Sequence, residues 1–484
     1  MFSQLNNWFG AFILLGAPAM MFIIITLLSL LFRVKLSRAL EGGIQMGVAL
    51  TGMGAVITLL TGALAPALNK FVESTGVSLS VTDLGWAPLA VITWGSIYTL
   101  YFALVCIIIN VVLLSFNRVK TLNVDLFNIW NLSVIGLLTL YCSDNNIFLT
   151  TVVVAVLYTL MLINSDVMQP QIKKLLNYDE KSITTTAHPS LLISPLVLIV
   201  NELISKCIPF IDKYDFDAEK LNQKIGFWGS KFAIGVYLGL FVGLLGKLPA
   251  SELFTLAFTA GVSLELFSLV GSWFGPAIAP LSEGISSIME KRFRGRQIFV
   301  AIDWPILASR AELWAVANIL APMLLIIAIV LPGNAVLPVG GILLTVLAPA
   351  LLVITQGKVI RMTLIGTVLI PLFLWAATLI ADFVTKTSIA MNSFPKGLSH
   401  DQLFSSVDSD PLEKMLSVLI GRAIASMNIS LLALAAVAVV AYLAMFVWYF
   451  GRMKKINLTH FAAVSGENHK EVRNEITRSV TDGR

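Results

Sequence analysis

The polar and apolar positions of this chain do not alternate as in an exposed strand, nor do they form the one-sided stripe of a soluble helix; they fall into long apolar blocks with short polar breaks. The blocks lie near 10–32, 44–67, 91–115, 129–142, 147–165, 226–246, 252–274, 313–331, 336–354, 360–382 and 429–450. Most are close to the ~20 residues that a helix needs to cross ~30 Å of hydrocarbon. The pattern predicts an all-α polytopic membrane protein of eleven transmembrane helices. Residues 1–454 form the embedded domain and 455–484 a polar cytoplasmic tail.

Three apolar segments fit this count poorly. His188–Val200 and Ile298–Ala308 are too short to cross and are bounded by polar residues or Pro, which predicts two re-entrant hairpins or broken helices, near 184–205 and 298–310. Leu412–Asn428 carries Glu413, Lys414 and Arg422 and reads as a half-buried or interfacial helix. Segment order suggests an inverted repeat, although no residue-level repeat is evident.

Composition agrees, since 57% of the 484 residues are hydrophobic and only 13% charged, which excludes a soluble domain. The first block follows no basic segment and is too long for a cleavable signal, so it is expected to remain as a helix. Basic clusters such as Arg33/Lys35/Arg38, Lys173/Lys174/Lys181, Lys291/Arg292/Arg294/Arg296 and Arg452/Lys454/Lys455 alternate with gaps poor in Lys and Arg. By the positive-inside rule the N-terminus is outside and the C-terminus cytoplasmic. This distribution accounts for the net charge of +5 without nucleic acid. Cys106, Cys142 and Cys207 are scattered with no metal-binding or redox spacing, so neither metal nor cofactor is expected. No phosphate-binding GxxxxGK[ST] loop occurs, so energy must come from an ion gradient or a partner.

Candidate chemistry begins with Asp303 in Ala301-Ile302-Asp303-Trp304-Pro305. A carboxylate at the centre of a membrane helix costs roughly 2.5–3.5 kcal/mol, so such a residue usually faces a cavity. Alternatively, Asp303 is a loop residue balancing Arg294 and Arg296. Asp125, Asn128 and Asn131 share a helical face; Asp125 suits a helix N-cap, whereas Asn131 lies too deep for one and suits a polar cavity. His188 is the one histidine in an apolar context, suited to sugar hydroxyls or to an interface. Glycines from Gly42 to Gly62, Gly52 among them, serve helix packing or a close substrate approach. Thr93-Trp94 pairs a hydroxyl with an aromatic ring, as a polyol site or an interfacial belt would.

From the first span to about Arg452, the chain resembles the membrane subunit, enzyme IIC, of bacterial phosphotransferase systems of the galactitol type, within the ascorbate-galactitol superfamily. The likeness rests on Asn123-Val124-Asp125 with Asn128-Ile129-Trp130, on Gly47 through Gly54, on Asp83-Leu84-Gly85-Trp86 with Thr93-Trp94, and on Val330-Leu331-Pro332-Gly333-Asn334 before Val336-Leu337-Pro338. It implies a bacterial inner-membrane permease for a polyol such as galactitol, with cytoplasmic enzymes IIA and IIB as partners and a phosphocysteine on IIB as the phosphoryl donor. It also implies a homodimer with scaffold and elevator-type core domains. The family's hairpin Asp falls on Asp303, a possible proton acceptor as well as a ligand; its His falls on His188, its Thr before Trp on Thr93, and a pocket glycine near Gly52. Asn131 stands where the family has His, Pro189-Ser190 where it has Gly-Thr, and Trp304 intervenes before Pro305. The competing expectation is a proton- or sodium-coupled secondary sugar transporter, with Asp303 as the titrating group. A membrane-embedded enzyme lacks any nucleophile or metal constellation to support it.

Overall fold

The computed structural model describes residues 15–75, 79–94, 96–177, 184–215, 226–271, 297–338, 346–391 and 402–465, with isolated positions between 273 and 287 and at 394. The start of the first expected span, part of the polar stretch 212–224, the cluster Lys291/Arg292/Arg294/Arg296 and the tail beyond Ser465 lie outside the described residues. Among the described residues six helices are long and apolar enough to cross a membrane: Ile97–Ser115, Ile147–Leu175, Pro189–Cys207, Ala311–Val330, Val359–Ala390 and Ile429–Thr459. Val437, Val440 and Val447 on the last of these are exposed, an apolar face that suits lipid and not water.

In chain order the helices that matter below are α1 (Gly16–Leu31), α2 (Leu36–Thr75), α3 (Ala87–Trp94), α4 (Ile97–Ser115), α5 (Leu126–Cys142), α6 (Ile147–Leu175), α7 (Ser194–Cys207), α8 (Lys231–Leu245), α9 (Ala250–Gly271), α10 (Ala311–Val330), α11 (Ala348–Thr355), α12 (Val359–Ala390), α13 (Pro411–Ser426) and α14 (Ile429–Ser465). Among the described residues six strands of two to four residues run between them: β1 (Val81–Asp83), β2 (Thr121–Asn123), β3 (Thr184–Thr186), β4 (Phe299–Ile302), β5 (Val336–Leu337) and β6 (Leu403–Ser405).

The strands form two parallel three-stranded sheets, in the orders β5-β1-β6 and β2-β4-β3. Exchanging β1, β2, β3 with β4, β5, β6 respectively turns the first order into the second. The helices follow the same rule: α4 joins β1 to β2 as α10 joins β4 to β5, and α6 leads to β3 as α12 leads to β6. The chain therefore contains an internal repeat whose halves exchange strands.

Such short strands at the heart of a membrane protein need every edge group satisfied. On α4, Asn110 does this for β2: its Oδ1 accepts the Asn123 N–H at 2.9 Å and its amide donates to Thr121 O at 2.8 Å. Thr385 on α12 serves β6 in the same way, its hydroxyl accepting the Phe404 N–H and donating to Phe404 O, both at 3.0 Å.

Several expectations change. The block 336–354 is not one helix: Val336 and Leu337 pair with β1, and among the described residues of the block the helix is Ala348–Thr355. The block 91–115 is divided, Ser96 capping α4 by accepting the Tyr98 N–H. Glu413 and Lys414 on α13 are not interfacial but buried, Glu413 accepting from the Tyr442 hydroxyl and Lys414 lying 3.6 Å from Asp408. Helix α14 continues to Ser465, past the expected start of the tail.

Candidate functional site

Because β2, β3 and β4 run parallel, their C-terminal ends lie side by side and release the chain in one place. Asp125, His188 and Asp303 each follow one of these strands by one or two residues. Positions separated by up to 178 residues thus meet at a single sheet edge. In open parallel sheets this edge is the usual place for ligands.

Each residue is held by its own backbone surroundings. Asp125 is the N-cap of α5, its Oδ1 accepting the Phe127 N–H at 2.9 Å, and its Oδ2 accepts the Asp303 N–H, also at 2.9 Å. Asp303 in turn caps the 3-10 turn Trp304–Leu307, its Oδ1 accepting the Trp304 N–H at 2.7 Å. Its Oδ2 receives no hydrogen bond from any described residue, and the side chain retains 15% exposure.

His188 precedes the 3-10 turn Pro189–Ile193, which runs into α7. Its Nδ1 accepts the Ser190 N–H at 3.1 Å, so the hydrogen-bond network assigns the proton of the neutral ring to Nε2. That Nε2 lies 3.8 Å from Asp303 Oδ1, too far for a direct hydrogen bond. Donor and acceptor face each other across a gap that one hydroxyl could bridge.

The surroundings accommodate the inserted Trp304. Trp304 is buried with its ring 6.5 Å from that of Trp314, whose Nε1–H donates to Ala308 O at 2.8 Å, so the extra residue wedges the turn in place. Arg310 donates twice to buried Glu312, at 2.8 and 3.1 Å, and once to Leu175 O, which ties this turn to the end of α6. Gly357 sits beside the pair at φ +80°, where a side chain would be strained.

The other expected residues are placed differently. Asn131 lies further along α5, its amide donating to Phe127 O at 2.9 Å, which leaves Oδ1 as its acceptor. Thr93 is fully buried; its hydroxyl donates to Leu89 O, and its carbonyl accepts from the Thr99 hydroxyl, so it secures the corner between α3 and α4. Gly52 is not brought to this edge. It lines an apolar groove of about 600 Å³ with Pro18, Phe22, Ile44 and Trp273, between α1 and α2.

Two residues went unremarked as site components in the sequence. Asn123 bonds the Asn128 amide at 2.8 Å and donates to the Tyr158 hydroxyl at 3.2 Å, while Asn128 Oδ1 is buried without a partner. Trp86, just beyond β1, is exposed and meets Trp130 of α5 edge-on at 5.6 Å. This contact links the exit of one sheet to the helix that starts at the other, with aromatic faces suited to the C–H side of a sugar. The signal for both was present in the paired Asn and Trp residues, but nothing local showed that they would meet. Among the described residues no cluster of His, Cys, Asp and Glu could hold a metal ion.

Comparison with known proteins gives the family. The family described as "PTS system sugar-specific permease component", EIIC-GAT, matches residues 12–397. A protein of Escherichia coli (strain K12) named "Putative permease IIC component" is 27% identical over 380 residues, 78% of this chain and 85% of that protein. The galactitol-specific EIIC components of Escherichia coli strains K12 and O157:H7 are each 25% identical over 366 residues, 75% of this chain and 80% of theirs. With apolar crossing helices and a match over most of its length, the chain belongs to the EIIC-GAT family of phosphotransferase-system sugar permeases, multi-pass proteins of the inner membrane.

Proposed function

We propose that the chain binds a polyol such as galactitol at the edge formed by Asp303, Asp125 and His188, and carries it inward for phosphorylation by a cytoplasmic enzyme IIB, itself supplied by enzyme IIA. The observation that carries this reading is the Asp303 carboxylate, with Oδ2 left open and Oδ1 3.8 Å from the Nε2–H of His188. A polyol hydroxyl is both donor and acceptor, so one hydroxyl donates to the carboxylate while accepting from the imidazole. Charge-assisted hydrogen bonds of this kind are about twice as strong as neutral ones. Asn131 Oδ1 offers a further acceptor along α5, Thr93 supports the facing corner, and the groove at Gly52 belongs to the surface against which the binding unit moves.

In the transfer step the substrate hydroxyl oxygen attacks phosphorus on the IIB phosphocysteine, its proton passes to Asp303, and the cysteine thiolate leaves. Two re-entrant segments, an N-terminus outside and a C-terminus inside, and an elevator motion within a homodimer belong to the same proposal. The test is uptake into vesicles with and without phosphorylated IIB. Uptake that needs IIB and yields the phosphate ester supports the reading. Uptake indifferent to IIB but lost when the proton or sodium gradient collapses replaces it with secondary transport.

A further inference from the structure

We infer that Asp125 is a positioning residue whose carboxylate latches the backbone of Asp303 and so sets the direction in which Asp303 presents its open oxygen. The inference rests on the reading of Asp303 as the hydroxyl acceptor and assigns a role to a residue that does not itself touch substrate. As an N-cap alone, Asp125 needs only one oxygen, which Ser, Thr or Asn supply nearly as well. Its second oxygen is committed to an N–H 178 residues away.

The place where this bond falls gives its purpose. Strand β2 ends at Asn123, opposite Ala301, and the last contact beyond that register is the Val124 N–H donating to Ala301 O at 3.2 Å. At Asp303 the ladder towards β2 has run out, and the Asp125 carboxylate stands where the next strand residue would have accepted. Asp303 is therefore fixed on two sides, through its N–H by Asp125 and through Oδ1 by the Trp304 N–H, which leaves Oδ2 alone to face outward. The latch also joins the helix that opens in the first half of the repeat to the strand of the second.

The residue type follows from the donors. Two N–H groups point at one side chain that is only 3% exposed. An Asn would offer one acceptor and one donor to two donors, and either orientation opposes one N–H with another. Sheet one uses the same device: Asp83 Oδ1 accepts the Gly85 N–H and, from beyond β6, the Val407 N–H, both at 2.9 Å. A carboxylate closes the open end of each sheet, but only at Asp125 is the latched residue itself a carboxylate with a free oxygen.

The test uses Asp125→Ser, which keeps the cap and loses the latch, and Asp125→Asn, in the full-length protein in nanodiscs, with galactitol as the probe. Hydrogen exchange of the peptide spanning 299–307 is expected to quicken by one amide's worth in both variants, with little change in thermal unfolding. Galactitol affinity is expected to fall about tenfold, the loss of one well-directed charged hydrogen bond. Combining Asp125→Ser with Asp303→Asn should add little beyond Asp303→Asn alone, whereas a merely structural loss would add in full. Wild-type exchange at that peptide in both variants, or additive losses in the pair, overturns the inference. If galactitol does not bind the wild type, the substrate reading fails, and exchange still decides the latch. If neither variant folds, an Asp303 amide in the wild type that exchanges as fast as an open loop overturns it.

Discussion

Replacing Asp303 by Asn separates what this side chain does for the fold from what it does for the substrate. Asn caps a helical turn about as well as Asp, and the Asn carbonyl can take over the Trp304 N–H that Asp303 Oδ1 now accepts at 2.7 Å. The amide nitrogen then occupies the place of Oδ2, the oxygen that no described residue uses. A substrate hydroxyl that donated to a carboxylate meets a donor instead. Hydrogen bonds to charged groups are worth roughly 1.5–3 kcal/mol, which corresponds to about a 10- to 150-fold loss of polyol affinity. The expected result, by equilibrium binding of labelled galactitol to the protein in nanodiscs, is a loss in that range with a thermal midpoint near that of the wild type. A loss below about twofold, or a collapse in thermal stability of the same size as the binding loss, would refute the reasoning, because the oxygen would then be structural or idle.

Other consequences can be checked separately. His188→Ala removes the Nε2–H donor and should weaken polyol binding by about tenfold, while His188→Asn restores part of it if its amide reaches the same gap. Thr93→Val should leave affinity within about twofold of wild type and instead lower the thermal midpoint, since the hydroxyl is spent on Leu89 O. Lys414→Ala leaves Asp408 without its buried partner and should cost about 3–5 kcal/mol, read as a large fall in the unfolding temperature. Gly421→Ala places a Cβ 2.6 Å from Cys142 Cβ where α13 crosses α5 and should cost about 1–3 kcal/mol, unrelieved by Cys142→Ala, which keeps that atom.

The sequence made some of this site legible and concealed the rest for definite reasons. Asp125 as a helix cap could be read locally, because capping depends on neighbours two residues away. The meeting of Asp125 with Asp303 could not, because it depends on register between strands far apart in the chain. The strands themselves left no mark: two to four residues are too few to establish alternation, and a short apolar run does not distinguish a strand from helix. That is why 336–354 looked like a span, when Val336 and Leu337 belong to a sheet and a separate short helix covers Ala348–Thr355. Glu413 and Lys414 misled in the opposite direction. Charge implied an interface, but Tyr442 and Asp408 supply partners that the local sequence does not reveal.

The central claim is that substrate sits at the edge where β2, β3 and β4 release Asp125, His188 and Asp303. An experimental structure of the protein with galactitol bound tests it most directly. The expected density places one hydroxyl within hydrogen-bond distance of both Asp303 Oδ2 and His188 Nε2. Density seated instead in the apolar groove at Gly52, with Asp303 Oδ2 untouched, would contradict the account.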